Sequence, residues 1–446
     1  MKNIGMKAGL KILHTADLHL GSSYRFLNIA KQKAIQAEQE RLFFQIIRIA
    51  AQEKVDFFVI AGDLFDSINP DIYLLEKVEE GFASIPQIEI IINPGNHDYW
   101  YPHGLWQKFS SLDHVHVFTP GSSEFRFPNH AISFHGKPFV SQSSSRSLWQ
   151  ADSPNLDLNL TNVLVQHGDL QVNYSNYNPI QAYWIDQAKF DFALLGHIHN
   201  SDKIIYTDKR IPCLYSGCPQ ARGFDEAGLK GIYLLDLTDS EKSFSQQLHF
   251  LPMDGARFYN VPISLTSPQY RNVDNQFDLQ DQIILQLSAI LSLLDENTSL
   301  KQTEEAGSLA LISNQSKKAQ VREAIELLLS RLGKYDSCKL KLEGSTPYKI
   351  NSELLSQRLS EIFFHVEIED KSTMPIDFDI LLNEHSLRGD VTRYAKKLAK
   401  QEDLLKQALT SIALENLNMQ KAKNIIEQAY YFTMQAAEQD LDIYED

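Results

Sequence analysis

Cysteine is scarce in this chain, three in 446 residues, and that shortage excludes a disulfide-built scaffold. Cys213 and Cys218 stand four residues apart with no second pair, so they are expected as buried or loop thiols rather than a metal pair. Thiols of this kind fit a reducing, cytoplasmic setting. Long apolar runs are missing as well. No stretch approaches the roughly 18 consecutive apolar residues that a membrane span requires. Lys2, Asn3 and Lys7 interrupt Met1–Leu10, and no small-residue cleavage pattern follows, so a signal peptide is not expected. Net positive charge is also absent: the formal charge is −15, which offers no broad basic face for a polyanion. Residues 1–260 carry 22 basic and 28 acidic side chains, a net of −6, and the remainder carries 20 and 29, a net of −9. Acids that hold cations lose their repulsion locally, so charge alone neither supports nor excludes a DNA substrate.

Hydrophobic residues make up 43% and charged residues 22%, enough apolar material for a large core and one or two smaller ones. The length implies two or three domains. Short apolar runs predict strands at Leu10–His14, Asp56–Ala61, Ile88–Asn93, Ala131–His135, Asn162–Gln166, Phe192–Leu195, Ile211–Tyr215 and Gly231–Asp236. Gln36–Gln52 repeats its apolar residues with a helical period, and Ile72–Ala83 predicts a second helix. Alternating strands and helices imply an α/β fold of stacked layers, a sheet sandwich flanked by helices. Ser141–Pro154 predicts a surface loop.

The chain is expected to divide into residues 1–255, a small α/β module at 256–375 and a helical region at 376–446. Within the module, Leu279–Leu294 and Val321–Leu332 predict helices, the latter closed by Gly333, and Lys339–Leu342 a strand. Asp295–Gln320 has the polar composition of a linker or loop. Leu404–Asn418 and Ala422–Ala437 are the clearest helical stretches beyond.

Chemistry gathers where strands end. Asp17 and His19 follow the first strand, Asp63 the second, and Asn96, His97 and Asp98 the third; His167 and the pair His197 and His199 follow two later ones. In layered α/β folds such positions converge on one edge of a sheet. Taken singly each group is weak, since a strand-end aspartate commonly caps a helix or fixes a turn. All five in one chain make a constellation. Carboxylate, amide and imidazole donors together suit Mn²⁺, Fe or Zn²⁺ better than thiolate-loving metals.

These five groups, in this order, resemble the calcineurin-like metallophosphoesterases. The resemblance implies that Asp63 bridges two divalent cations, Mn²⁺ foremost with Fe, Zn²⁺ or Mg²⁺ as alternatives. It implies a first site of Asp17, His19 and His199 and a second of Asn96, His167 and His197, with His97 as the catalytic histidine. The segments His14–Gly21, Gly62–Asp66 and Tyr215–Arg222 further resemble the SbcD-type DNA repair nucleases, in particular their YhaO-like exonuclease branch. Ser386–Gly389 gives a short further match. Asp66 stands where several members carry histidine, Cys218 where serine is usual and Ala221 where glycine is usual; these departures bear on substrate handling.

On this basis His97 is expected to protonate the leaving oxygen, oriented by Asp98 or Asp66; Asp66 alone could equally be a turn-fixing carboxylate. Arg222 is a candidate phosphate contact or a surface salt bridge. Tyr99, Trp100, Tyr101 and Trp106 could stack on bases, although core packing or a subunit contact is the blander expectation. The resemblance implies a DNA nuclease subunit that dimerises through Leu105–Phe109 and the Ile72–Ala83 helix. Its C-terminal helices would clasp an ATPase of the SbcC or YhaN coiled-coil type. A phosphodiesterase of small nucleotides and a non-catalytic scaffold are the alternatives.

Overall fold

The computed structural model describes residues 9–373 except 150–153, 173, 201–203, 240, 268–269, 271–272, 274, 295–316, 347 and 349, together with residues 383, 393 and 397. The expected helices at Leu404–Asn418 and Ala422–Ala437, the Ser386–Gly389 segment and most of the Asp295–Gln320 linker lie outside the described residues. In chain order the elements begin β1 (Lys11–Thr15), α1 (Ile29–Glu53), β2 (Phe57–Ile60), α2 (Ile72–Ala83), β3 (Glu89–Ile92), β4 (Val115–Val117), β5 (Glu124–Phe127), β6 (Ile132–His135) and β7 (Thr161–His167). They continue with α3 (Ala182–Ala188), β8 (Phe192–Gly196), β9 (Ile204–Tyr206), β10 (Pro212–Tyr215), β11 (Gly231–Asp236), β12 (Leu248–Pro252) and β13 (Phe258–Ser264). The remainder are α4 (Gln276–Leu294), α5 (Lys317–Arg331), β14 (Ser337–Ser345), α6 (Ser352–Leu359) and β15 (His365–Thr373).

Two six-stranded sheets have the orders β12-β11-β1-β2-β3-β4 and β5-β6-β7-β8-β10-β9, and a three-stranded sheet has the order β13-β14-β15. Two compact units emerge. One comprises the described residues among 1–261, 284–340 and 353–368, the other those among 262–283, 341–352 and 369–446.

Side-chain alternation explains the layering. Leu13, Phe58, Ile60, Ile90 and Ile92 point to one face of the first sheet and pack with Leu42, Phe43 and Ile46 of α1 and Val78 and Phe82 of α2. Their neighbours Ile12, Phe57, Val59 and Ile91 point the other way and meet Val163, Val165, Phe192 and Leu194 of the second sheet. The far face of that sheet turns Leu164, Ala193 and Leu195 toward Trp184 and Ile185 of α3. Helix, sheet, sheet and helix thus stack in four layers, the α/β sandwich that the strand–helix alternation predicts. Strands β1, β2 and β3 are parallel, as are β7 and β8, so their carboxyl ends emerge together.

Helix α1 begins seven residues earlier than its periodicity predicts. Asn28 caps it, accepting from the Lys31 N–H at 3.0 Å, and Ile29 in the first turn is exposed, so the apolar stripe begins late. Strands β4, β5, β9 and β12 carry no clear pattern in the sequence; each is three to five residues long. The segment 141–149 is irregular as expected, yet pinned: Ser144 bridges Tyr177, and the Leu148 N–H donates to Asn178 Oδ1 at 2.8 Å.

His14 sits wholly buried in β1, where loss of hydration pushes its imidazole from an ordinary 6.5 down to about 4. Between those values the unfolded chain binds a proton that the folded ring refuses, so stability rises with pH across that window. The loss at pH 4 is on the order of 3 kcal/mol. His14→Leu is expected to lack this contribution. Urea midpoints at pH 7 and pH 4.5 check it: the wild-type midpoint should fall further than that of the variant.

Candidate metal centre

The five strand-end groups converge. Asp17 and His19 leave β1 through a sharp turn in which the Asp17 N–H donates to Gly62 O at 3.0 Å and the His19 N–H to Asp63 O at 2.9 Å. That turn locks the ends of β1 and β2 side by side. Asp17, His19, Asp63 and His197 all adopt positive φ, at 54°, 46°, 51° and 101°. Left-handed backbone at four proposed donors is a cost that the surrounding hydrogen bonds must offset. Gly62 is required for closeness: a Cβ there would lie 2.3 Å from His167 Nδ1.

Asp17, His19, Asp63 and His167 are all buried. His19 Nε2 lies 3.3 Å from His199 Nε2 and 3.6 Å from Asp63 Oδ2, and His199 Nε2 lies 3.8 Å from Asp17 Oδ1. On the other side, His167 Nε2 lies 3.4 Å from Asp63 Oδ2 and 3.1 Å from Asn96 Oδ1. Asp63 therefore stands between the two groups. Donor atoms of Asp17, His19 and His199 come within 4.8 Å of one another, as do those of Asp17, Asp63 and His167. His197 falls in neither group. Its Nε2 is 3.5 Å from Asp169 Oδ1 and its ring is 5.2 Å from that of His167, so it adjoins the second group.

The chemistry of the donors fits cations. The His19 Nδ1–H donates to Asp66 Oδ1 at 3.0 Å, the His199 Nδ1–H to Glu226 Oε1 at 2.6 Å and the His167 Nδ1–H to Ala61 O at 2.9 Å. The His19 and His199 rings then turn an Nε2 lone pair inward, while His167 Nε2 faces Asp63 Oδ2 and Asn96 Oδ1. Two such lone pairs 3.3 Å apart repel unless positive charge sits between them. The carboxylates ask for the same charge. Burial alone depresses His167, yet Asp63 and Asp17 beside it push its imidazole up to about 9. Burial also works to raise Asp63, but the His167 and His19 rings hold it well below the usual carboxylate range. Burial raises Asp17 and takes His19 down to about 4. Divalent cations supply this missing charge directly.

His97 lies at the rim, half-buried, its ring edge-on to His19 at 4.7 Å between centroids. Asp66 Oδ1 is 3.4 Å from His97 Nδ1 and raises the pKa of that ring. Of the two carboxylates proposed to orient His97, Asp66 is the one in place. Asp98 is not: its oxygens accept the Gly95 N–H at 2.7 Å and the Phe65 N–H at 3.1 Å, tying together the turns after β3 and β2. Its carboxylate prefers these backbone donors in a buried pocket, where burial and the nearby Asp63 push it up to about 7. Asp98 thus braces loops rather than the His97 ring.

Arg222 is partly buried and donates to Asp66 Oδ1 at 3.1 Å and Glu226 Oε1 at 3.4 Å, an ion pair at the rim of the centre rather than on the open surface. Trp106 is buried, its indole N–H donating to Asp98 O at 2.6 Å, and Trp100 packs against the same core; both are committed to packing. Leu105 and Phe109 are buried there too. Cys213 and Cys218 are buried thiols, as expected, although Cys218 Sγ lies 3.7 Å from Glu226 Oε2. Glu226 and Asp169 escaped the sequence. Glu226 follows no apolar strand directly, and only its i, i+4 spacing from Arg222 hints at it, whereas Asp169 stands two residues past the end of β7.

Fold and donor set together make this cluster a candidate site for divalent cations. Residues 10–201, somewhat under half of the chain, match the family described as calcineurin-like phosphoesterase. The chain is 26% identical over 258 residues to a Bacillus subtilis (strain 168) protein named uncharacterized metallophosphoesterase YhaO, a match covering 54% of this chain and 61% of that protein. It thus spans about three fifths of that relative. Among solved structures it is similar to TT1561 of Thermus thermophilus, with a TM-score of 0.32, 11% identity and coverage of 55% of this chain and 99% of that one. Pseudomonas putida nuclease MPE follows at 0.25, 14%, 50% and 84%. Both are too distant to bear on chemistry. No described helix is long and apolar enough to cross a membrane.

Proposed function

We propose that this chain is a metal-dependent phosphodiesterase that hydrolyses DNA, as an exonuclease or endonuclease in DNA repair. The observation that carries the hydrolytic part is the convergence of Asp17, His19, Asp63 and His167, all buried, with the part-exposed His199 on one cluster. When bound, two divalent cations supply Lewis-acid polarisation of a phosphoryl oxygen and bring a water's pKa toward neutrality. Asp17, His19, Asp63 and His199 would hold one cation; Asp63, Asn96 and His167, with His197 adjoining, would hold the other. His97 remains free of these sets at the solvent rim, where an incoming phosphodiester must pass. Asp66 keeps its Nδ1 occupied, so Nε2 can hold a proton and pass it to the leaving oxygen. The buried donors exclude bulk water on their inner side, while the part-exposed His97, His197 and His199 leave one side open.

DNA as the substrate rests on the three segments that resemble SbcD-type nucleases. Mn²⁺-dependent release from end-labelled duplex and single-stranded DNA, compared with cyclic and linear dinucleotides, tests it. Product from DNA that disappears on chelation is expected; turnover confined to the small nucleotides would replace the DNA assignment. The same resemblance supports a homodimer and a coiled-coil ATPase partner of the SbcC or YhaN type. Co-expression of the full chain with such an ATPase should give a complex that deletion of residues 404–446 abolishes.

A further inference from the structure

Arg222 belongs to neither donor set, yet it touches both outer supports of the first one. Its Nη1 donates to Asp66 Oδ1 at 3.1 Å and its Nε to Glu226 Oε1 at 3.4 Å, while its backbone N–H donates to Glu226 Oε2 at 2.9 Å. Asp66 in turn accepts from His19 Nδ1 at 3.0 Å, and Glu226 from His199 Nδ1 at 2.6 Å. The two imidazoles meet again at their Nε2 atoms, 3.3 Å apart. His19, Asp66, Arg222, Glu226 and His199 therefore form a closed ring of contacts built from four separate loops. Arg222 Nη2 comes within 3.5 Å of His199 Nδ1, but both atoms carry protons, so this is proximity rather than a bond.

We propose that Arg222 and Glu226 are positioning residues: a carboxylate–guanidinium–carboxylate brace that keeps His19 and His199 in the Nδ1–H tautomer, aims both Nε2 atoms at one point, and so sets cation affinity at the first position. This rests on the assignment of Asp17, His19, Asp63 and His199 to that position. A carboxylate on the outer nitrogen of a ligating imidazole fixes its orientation and raises its basicity. Arginine suits the brace because its planar fork engages two carboxylates at fixed angles, which a lysine ammonium cannot do. The ion pairs themselves are partly open to solvent and contribute little stability, so the gain lies in geometry. The guanidinium is committed to protein carboxylates.

Mn²⁺ titration calorimetry on the metal-free full chain, alongside kinetics on bis(p-nitrophenyl) phosphate, separates these roles. Wild type is expected to take up two equivalents of Mn²⁺, with Asp63→Asn abolishing uptake. In Glu226→Ala and Arg222→Gln, one equivalent should weaken roughly 10- to 100-fold while the other is retained. Their turnover should recover at high Mn²⁺ with KM unchanged. Unaltered Mn²⁺ binding in both variants, or a raised KM that excess Mn²⁺ does not correct, would overturn the brace. Failure of wild type to bind Mn²⁺ in an Asp63-dependent manner would instead remove the assignment beneath it. The isosteric Glu226→Gln, which loses the charge but keeps an acceptor, should fall between wild type and Glu226→Ala, and it keeps the test available if the alanine variant does not fold.

Discussion

Asp63→Ala is expected to empty both cation positions at once and to reduce phosphodiester hydrolysis to background. The reason is its place between the groups: Asp63 Oδ2 lies 3.6 Å from His19 Nε2 and 3.4 Å from His167 Nε2, so one carboxylate serves both sides. Loss of an outer-shell partner already lowers metal affinity roughly 10- to 100-fold; loss of a shared donor should exceed ~100-fold. Asp63→Asn keeps the shape and an oxygen for the His97 N–H, which Asp63 Oδ1 now accepts at 2.9 Å, but removes the charge. It should lose the metals as well, because the charge that pushes His167 up to about 9 is the one that attracts a cation. Elemental analysis of purified protein beside initial rates on bis(p-nitrophenyl) phosphate is the check. Two retained equivalents in Asp63→Ala would rule out a shared bridging role.

His97→Ala should behave in the opposite sense, with metal content intact and turnover down by roughly 10²- to 10⁴-fold. Its ring lies outside the two facing groups, and Asp66 stays fixed without it through His19 at 3.0 Å and Arg222 at 3.1 Å. The pH profile adds a sign. Asp66 raises the His97 pKa, so the protonated form persists to higher pH, and the donor role is lost as pH rises through that raised value. The alkaline limb of the rate profile is therefore expected to flatten in the variant. Undiminished turnover would take His97 out of the reaction.

Much of this architecture is legible in the sequence, for identifiable reasons. Buried parallel strands such as Phe57–Ile60 are unbroken apolar runs, and Ile72–Ala83 repeats its apolar residues with a helical period, so both stand out. Strand-end aspartates and histidines can be found because each follows such a run. Short strands such as Val115–Val117 leave no comparable trace. The roles of Asp98 and Glu226 are hidden as well, since they depend on what folds against them. Asp98 sits next to His97 in the chain, which makes it the expected support, yet its carboxylate turns to the Phe65 and Gly95 amides. Asp66, 31 residues earlier, reaches the imidazole instead. Adjacency in sequence misleads there because a side chain's direction is set by the turn that carries it.

The left-handed turns at Asp17, His19, Asp63 and His197 also limit how this centre could be retuned. Aspartate, asparagine and histidine tolerate that backbone far better than β-branched or bulky residues do. A redesign toward a softer ion, by swapping these donors for longer or sulfur-bearing side chains, would have to rebuild the loops first. Asn96, His167 and His199 carry no such backbone demand, so altered metal preference should be easiest to select there.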